Sequence, residues 1–258
     1  MSNAYPPPPR RRHRDGSIVA AEVERFDALA STWWDPAGPM RALHRLNPLR
    51  LRFIRDEACG HFGLDAASPY PFDGLSVLDV GCGAGLLSEP LARLGGSVTG
   101  LDPAVRNIEA ARSHADEGGL SIDYRTDPVE TVAAGRERFD LVVAMEVVEH
   151  VADPAAFVRT CADAVRPGGL LLLATLNRTL RSFALAIVGA EYILRWLPRG
   201  THDWDKFITP GELRDFTADA GLIDYRTRGM VFDPLEREWS LSRDTAVNYL
   251  ARAEKPGP

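Results

Sequence analysis

Apolar positions from residue 75 onward follow two alternating patterns. Short, continuously apolar runs at Leu75–Val80, Phe139–Met145 and Leu170–Ala174 predict strands that are buried on both faces. Between such runs, Leu86–Leu94 and Pro154–Val165 place their apolar residues at helical spacing. This alternation predicts an α/β fold with a mostly parallel sheet and helices on both of its faces.

Weaker segments extend this pattern toward both ends of the chain. Residues 18–63 have helical spacing and precede the first buried strand. The other predicted elements are strands over Ser97–Leu101, Leu120–Tyr124, Leu222–Met230 and Ala246–Ala251, and helices over Val105–Ala115 and Gly211–Ala220.

The chain divides into a short tail and one predicted domain. Residues 1–17 contain four consecutive prolines and then a cluster of arginines, which is typical of a disordered tail and not of a secretory signal. Residues 18–258 are predicted to form a single domain. Its parts are an N-terminal helical cap and linker (18–74), a core (75–176), an insert (177–208) and the C-terminal part of the sheet (209–258).

Composition narrows the classes of function. The net charge of -6 argues against a nucleic-acid partner, because proteins that bind phosphate backbones usually carry a basic surplus. The three cysteines form no C-x-x-C pair, so a disulfide scaffold or a zinc cluster is not indicated and a reducing compartment fits. No apolar run reaches the roughly 18 residues that a membrane-spanning helix needs.

A glycine-rich loop, residues 81–85 (GCGAG), follows the first buried strand. Its spacing is G-x-G-x-G, whereas a dinucleotide-binding loop has G-x-G-x-x-G. Asp102 ends the next strand, 21 residues after Gly81, where a carboxylate can accept hydrogen bonds from both ribose hydroxyls. Asp79, near the end of the first strand, suits a sulfonium or an amino group better than a phosphate. These features favour S-adenosylmethionine over NAD.

Each of these cofactor features also has a purely structural interpretation. The glycine loop can be a simple strand-to-helix turn, and Asp102 can cap the helix that follows it. Asp127 is expected near the adenine, but an ordinary helix cap with Pro128 at the first helical position explains it almost as well. Met145 can pack on the adenine or belong to the core. The predicted cofactor-binding residues in this region are Asp79, Gly81, Cys82, Gly83, Asp102, Pro103, Asp127 and Met145.

Three ionisable residues, Glu146, Glu149 and His150, follow the strand that begins at Phe139. If residues 146–150 form a helical turn, the three side chains share one face at the carboxyl end of a strand, where open α/β sheets bind ligands. Such a set can hold a divalent cation such as Mg²⁺. Alternatively, His150 is a general base for a phenolic hydroxyl. In a third interpretation, Glu146 and Glu149 are exposed surface residues and His150 has a purely structural role.

The segment 177–200 combines a dense apolar stretch with four arginines and one glutamate, a local net charge of +3. A short apolar helix with a tryptophan and flanking arginines can lie in a lipid interface. The alternative is a lid that packs on the core with its arginines in ion pairs, and the two interpretations are compatible.

Several segments closely resemble the ubiquinone biosynthesis O-methyltransferase family. The likeness runs from about Glu24 to Ala253. The segments that carry it are Ala30–Asp35 (ASTWWD), Leu43–Arg50 (LHRLNPLR), Met145–His150 (MEVVEH), Thr175–Arg178 (TLNR), Val188–Leu194 (VGAEYIL), Gly200–Asp203 (GTHD) and Val247–Tyr249 (VNY). One departure is Ala84, where family members often carry glycine.

The resemblance implies a class I, Rossmann-like methyltransferase fold with a seven-stranded sheet whose last strand is antiparallel. It implies S-adenosylmethionine-dependent O-methylation of polyprenylated catechol and demethylubiquinol rings, with methylation of another small phenol as the alternative. We expect a cytoplasmic enzyme that is peripherally associated with the inner membrane through residues 177–200 and with other enzymes of ubiquinone biosynthesis. Family cofactor contacts map onto Arg50, Gly81, Asp102 and Met145. Family metal ligands map onto Glu146, Glu149 and His150.

Overall fold

The computed structural model describes residues 17–183, 204–233, 236 and 238–258. The predicted disordered tail, apart from Ser17, and the centre of the predicted insert lie outside the described residues. Among the described residues, no helix is long and apolar enough to cross a membrane.

Eight strands form one sheet in the described part of the chain. They are β1 (Ser76–Val80), β2 (Ser97–Leu101), β3 (Asp123–Arg125), β4 (Phe139–Met145), β5 (Val165–Leu176), β6 (Ile223–Asp233), β7 (Glu238–Ser242) and β8 (Asn248–Glu254). The helices are α1 (Ala20–Asp27), α2 (Arg41–Phe62), α3 (Ser88–Arg93), α4 (Val105–Glu117), α5 (Val129–Ala134), α6 (Pro154–Ala164), α7 (Leu180–Ser182) and α8 (Pro210–Asp219).

The order of the strands confirms the predicted architecture, with one addition. The order is β3-β2-β1-β4-β5-β8-β6-β7, and strands β1 to β5 pair in parallel. The last strand, β8, is antiparallel to both β5 and β6, as expected. The expected count of seven is one too low, because β7 forms an antiparallel hairpin with β6 at the edge of the sheet.

The two largest apolar clusters of the core lie on opposite faces of the sheet. In β4, Val142 and Ala144 face one cluster while Leu141 and Val143 face the other, as the two-residue period of a strand requires. Helices α5, α6 and α8 cover the first face, and α2 and α3 cover the second. The prediction of helices on both faces is therefore confirmed.

The N-terminal cap consists of α1, α2 and the loop between them. Helix α2 begins at Arg41 and continues through Pro48. It ends at Gly63, whose left-handed φ of 68° a residue with a side chain rarely adopts. Between the two helices, Trp34 Nε1 donates to the carbonyl oxygen of Ala84 at 3.0 Å, which fixes the cap on the glycine loop.

Candidate active site

Both the backbone and the neighbouring side chains require glycine in the loop after β1. Gly81, Gly83 and Gly85 have φ values of 72°, 54° and 86°. A Cβ atom on Gly83 would lie 2.2 Å from the ring of Trp33, and one on Gly81 would lie 2.5 Å from Cγ2 of Val147. The loop is therefore held closely between the N-terminal cap and the loop that follows β4.

A cavity of about 900 Å³ opens beside this glycine loop. It lies at the carboxyl ends of β1, β2 and β4, beneath the N-terminal cap, where open α/β sheets bind ligands. Among the predicted site residues, Gly83 and Glu149 do not line it. Those that do are Arg50, Asp79, Gly81, Cys82, Asp102, Pro103, Asp127, Met145, Glu146 and His150.

Asp102 lines the cavity and also anchors the loops around it. Its Oδ2 accepts a hydrogen bond from the N–H of Gly83 at 2.9 Å. Its Oδ1 accepts from the N–H of Ala104 at 2.8 Å and from the amide of Asn107 at 3.3 Å. Burial raises the pKa of Asp102, and these three hydrogen bonds oppose the rise. Because each carboxylate oxygen has two lone pairs, the anchoring role leaves Asp102 able to accept from a ribose.

Asp79 is a buried carboxylate that forms no ion pair with the residues that the structure describes. Its Oδ2 accepts a hydrogen bond from the hydroxyl of Ser88 at 2.6 Å. Burial raises the pKa of Asp79 to about 7, the Ser88 hydrogen bond opposes the rise, and the charge of Asp102 adds to it. A cationic group in the cavity would favour the ionised form, which fits the expectation that Asp79 serves a sulfonium or an amino group.

Asp127 and Cys82 are two further predicted cofactor-binding residues that line the cavity. Helix α5 begins at Val129 and its N-cap is Pro128, so the capping interpretation of Asp127 is wrong and its half-buried side chain lines the cavity. Cys82 also lines the cavity, but burial raises the pKa of its thiol well above the ordinary value. That shift favours the neutral thiol and a role for Cys82 as a small residue in the turn.

The acceptor loop, residues 146–150, does not form the predicted helical turn. Glu146 has a left-handed φ of 59°, and its N–H donates to the carbonyl oxygen of Ala174 at 3.0 Å. Only Val148–His150 form a short 3-10 turn. Because Glu146 lies before that turn in a left-handed conformation, the prediction that 146, 149 and 150 share one helical face is wrong.

Each of the three ionisable residues in the acceptor loop instead has its own partner. Glu146 accepts a hydrogen bond from the guanidinium of Arg50 at 2.8 Å. Glu149 is buried and accepts from the hydroxyl of Thr175 at 3.0 Å. His150 lies beside Glu22 of α1, with 3.4 Å between Nδ1 and Oε2.

The surroundings of Glu149 bear on the predicted metal site. Burial raises the pKa of Glu149 to about 7, and the charge of Glu146 adds to the rise. Its Oε1 has no hydrogen-bond partner among the described groups. Nevertheless, no group of three or more His, Cys, Asp or Glu side chains in the described residues is arranged to hold a metal ion. This geometry does not fit a metal, and ligation by Glu146, Glu149 and His150 stays a prediction.

Sequence reasoning missed the residues that the cap and the β6–β7 hairpin contribute. Glu22 contacts His150 and also lies 3.7 Å from the ammonium of Lys206. The proximity of His150 is the main reason why the pKa of Glu22 falls to about 2, against the opposing effect of burial. Nothing in the local sequence marks Glu22, because its partners are distant along the chain.

The apolar side chains missed in the cavity wall include Phe26, Leu43, Leu46, Met230, Phe232 and Trp239.

Comparisons with known proteins agree with this fold. A family model described as a methyltransferase domain matches residues 51–225. The structure of magnesium protoporphyrin IX methyltransferase from Synechocystis PCC 6803 with bound SAH aligns with a TM-score of 0.59 at 20% identity, covering 90% of this chain and 94% of that one. A possible histamine N-methyltransferase from Thermotoga maritima aligns with a TM-score of 0.55 at 17% identity, covering 92% and 100%. The fold is thus that of a methyltransferase.

Two curated relatives show to which family of methyltransferases the chain belongs. The ubiquinone biosynthesis O-methyltransferase of Methylobacterium sp. (strain 4-46) is 63% identical over 240 residues, covering 93% of this chain and 96% of the relative. That of Parvibaculum lavamentivorans is 56% identical over 239 residues, covering 93% and 94%. The chain belongs to the ubiquinone biosynthesis O-methyltransferase family.

Proposed function

We propose that this protein transfers the methyl group of S-adenosylmethionine to a ring hydroxyl of a polyprenylated catechol or demethylubiquinol. Membership of the family supports the reaction. The observation that carries the assignment is the cavity, in which the carboxylates Asp79 and Asp102 and the acceptor-loop residues Glu146 and His150 meet.

The residues near β1 and β2 fit the cofactor. Bound S-adenosylmethionine supplies a methyl group on a positively charged sulfur. Asp102 keeps one free lone pair on Oδ2 that can accept a hydrogen bond from the ribose, and Gly81 lets the backbone approach the ligand closely. Asp79 provides a buried negative charge for the cationic end of the ligand, while Asp127 and Met145 are assigned to the adenine.

His150 is the group that we assign to the acceptor hydroxyl. A phenol has an ordinary pKa of roughly 10, so removal of its proton makes the oxygen a better nucleophile. His150 lines the cavity and can take that proton. Most of the rate enhancement then comes from holding the acceptor oxygen in line with the methyl group. The metal ligands that the resemblance implies, Glu146, Glu149 and His150, are not arranged to hold a cation in the described residues, so no step is assigned to a metal.

The apolar wall of the cavity supports a prenylated acceptor. Leu43 and Leu46 of α2 and the β6–β7 side chains Met230, Phe232 and Trp239 all line it. A soluble phenol would leave this apolar surface in contact with water, whereas an isoprenoid chain would cover it.

Membrane attachment through residues 177–200 is part of the proposal, because a polyprenylated acceptor is dissolved in the lipid. The described flank of this segment carries Arg178 and Arg181, which pair with Glu212 and Asp244. These two arginines therefore support the lid interpretation, and contact with lipid rests on the segment's apolar composition and its net charge of +3. We propose a cytoplasmic enzyme, peripheral to the inner membrane and associated with other enzymes of the pathway.

An acceptor panel with an isotopically labelled methyl donor tests the proposed substrate. We expect a short-chain demethylubiquinol to be methylated at least about tenfold more efficiently than a soluble phenol that lacks the prenyl chain, because apolar surface is buried. Equal rates on both kinds of acceptor would favour a methyltransferase for another small phenol.

The same assay with a chelator tests the metal. Loss of turnover that is restored by Mg²⁺ would support ligation by the acceptor loop. Unaffected turnover would remove the metal and leave His150 as the group that activates the hydroxyl.

A further inference from the structure

Asn248, the first residue of β8, is a buried polar residue in the apolar part of the cavity wall. It is 6% exposed and lines the cavity together with Leu176 of β5 and Met230 of β6. Its Oδ1 is buried without a hydrogen-bond partner, and the described residues supply no partner for the rest of the carboxamide. Because buried amides are nearly always hydrogen-bonded, Asn248 indicates a partner that the described residues do not provide.

The register of the sheet shows which way Asn248 faces. It pairs with Leu176 of β5, and the pairing of β8 with β6 sets Met230 beside it on the other side. Leu250, two residues further along β8, belongs to the apolar cluster beneath α2, so Asn248 faces the same side of the sheet. A single carboxamide is thus set between two apolar side chains that line the cavity.

The backbone on either side of Asn248 is fixed by hydrogen bonds. The carbonyl oxygen of Val247 accepts from the N–H of Asn177 at 2.8 Å, and the hydroxyl of Tyr249 donates to the carbonyl oxygen of Ile208 at 2.9 Å. A strand therefore sets the position of Asn248, as a precise binding site requires. Rotation about the terminal torsion of the side chain exchanges the amide oxygen and nitrogen, so the carboxamide can offer either an acceptor or a donor.

Strand β8 lies between the cofactor end of the cavity and its apolar wall. In the order of the sheet, β8 is two strands from β4, which ends at Met145, and next to the β6–β7 hairpin that carries Met230 and Trp239. Neighbouring strands are about 4.8 Å apart, so Asn248 lies roughly 10 Å across the sheet from the end of β4. An aromatic ring bound between these two points would have one edge toward the cofactor and the other toward Asn248.

We propose that Asn248 recognises the acceptor through a hydrogen bond with a ring oxygen that is not the one methylated. The inference rests on the proposed function, because a catechol and a demethylubiquinol both carry at least two oxygens on the ring. A ring with a single oxygen would displace water from the carboxamide and give it no partner in return. Asn248 therefore selects against such a ring, since a buried polar group left unpaired is costly.

Two matched acceptors test this role. One is a short-chain prenylated catechol, and the other is the same molecule without the second hydroxyl. We expect Asn248→Leu, which removes the amide at similar volume, to lower kcat/KM for the catechol by about 5- to 50-fold, mainly through KM. The kcat/KM for the monophenol should change by less than about twofold. The ratio of the two constants within one protein is unaffected by a smaller fraction of folded enzyme.

Asn177→Leu is the matched control. Asn177 follows β5 at the same edge of the sheet and is 7% exposed, but it does not line the cavity. Its amide nitrogen donates to the carbonyl oxygen of Thr245 at 2.8 Å, so its role is structural. The substitution should lower stability and leave the ratio of catechol to monophenol unchanged. Asn248→Ala, which removes the amide without adding apolar bulk, should lower that ratio in the same direction as Asn248→Leu.

Calorimetry of acceptor binding gives a readout that needs no turnover. Each acceptor is titrated into protein saturated with S-adenosylhomocysteine, and we expect Asn248→Leu to weaken binding of the catechol by about 5- to 50-fold and that of the monophenol by less than about twofold. Equal changes for the two acceptors, or no change for either, would overturn the proposal and make Asn248 a structural residue. If neither acceptor is methylated, the proposed function fails, while the titrations still decide whether Asn248 binds a ring oxygen.

Discussion

Arg50 and Glu146 form an ion pair across the cavity, with the guanidinium donating to Oε1 at 2.8 Å. The Arg50 side chain is only 4% exposed and that of Glu146 is 19% exposed. The pair joins α2 of the N-terminal cap to the acceptor loop at the residue whose backbone is left-handed. It connects the cofactor side of the site with the acceptor side.

Arg50→Ala should therefore damage both stability and turnover. Removing one partner of a buried pair costs roughly 3–5 kcal/mol, and the partial exposure of Glu146 reduces this to about 1–3 kcal/mol. Denaturant unfolding measures the change. The matched control is Arg55→Ala on the same helix, which breaks an exposed pair with Asp56 and should cost less than about 0.5 kcal/mol. Equal costs for the two variants would mean that the Arg50 pair contributes little.

Gly83→Ala tests the contact between the glycine loop and Trp33. The φ of 54° disfavours any side chain by about 1–2 kcal/mol, and the new Cβ would lie 2.2 Å from the indole ring. We expect a loss of about 2–4 kcal/mol in the free energy of unfolding, together with weaker binding of S-adenosylmethionine.

Gly60→Ala is the control for this substitution. Gly60 lies inside α2 with nothing within 4 Å of a new Cβ, so alanine should stabilise the protein by up to about 1 kcal/mol. If Gly83→Ala were as stable as Gly60→Ala, the close packing of Trp33 on the loop would be contradicted.

Asp79 should couple binding of the cofactor to pH. Its pKa of about 7 in the folded protein lies above the ordinary value of 3.8. The stability that protonated Asp79 contributes is therefore fully present below its ordinary pKa of 3.8. It is lost as the pH rises through the folded-state pKa of about 7. A cationic ligand favours the ionised form, so affinity should weaken by up to about tenfold for each pH unit below 7.

Calorimetry at pH 6 in two buffers of different ionisation enthalpy measures this coupling. S-adenosylmethionine should release about one proton from Asp79 on binding, and Asp79→Asn should bind more weakly and release about one proton fewer. The same proton release in both proteins would assign the titration to another group, of which Glu149 is the first candidate because its pKa is also about 7.

Trp239→Ala tests the apolar wall that the β6–β7 hairpin supplies. Trp239 packs against Phe232 with 5.4 Å between ring centroids, and both line the cavity. We expect KM for a prenylated acceptor to rise by roughly 5- to 30-fold, because about 1–2 kcal/mol of apolar contact is lost, with kcat nearly unchanged. KM for a soluble phenol should change little. A rise of the same size for both acceptors would place the prenyl chain elsewhere.

The central strands could be predicted from sequence because their burial on both faces leaves unbroken apolar runs. Asp79, Asp102 and Met145, at the carboxyl ends of β1, β2 and β4, can be identified for a related reason, since the ends of parallel strands meet at one edge of the sheet. Strand β7 gives no such run, because its residues are exposed or half-buried at the sheet edge. Strand β7 forms because it pairs with β6.

Two features of the acceptor side could not be predicted, for different reasons. The left-handed φ of Glu146 contradicts the helical spacing of residues 146–150, and only the packing around Gly81 and Ala174 shows it. Glu22 meets His150 only after α1 has folded over the sheet, so no local pattern joins them. The resemblance marks the segment Trp33–Trp34, whereas the close approach of Trp33 to Gly83 depends on the fold.

The fate of a labelled methyl group tests the central claim most directly. Purified protein is incubated with S-adenosylmethionine labelled with ¹³C in the methyl group and with a short-chain demethylubiquinol, and the product is analysed by mass spectrometry and NMR. The account predicts one labelled methyl per product molecule, attached to the ring oxygen. No incorporation, or a label attached to ring carbon, would contradict it.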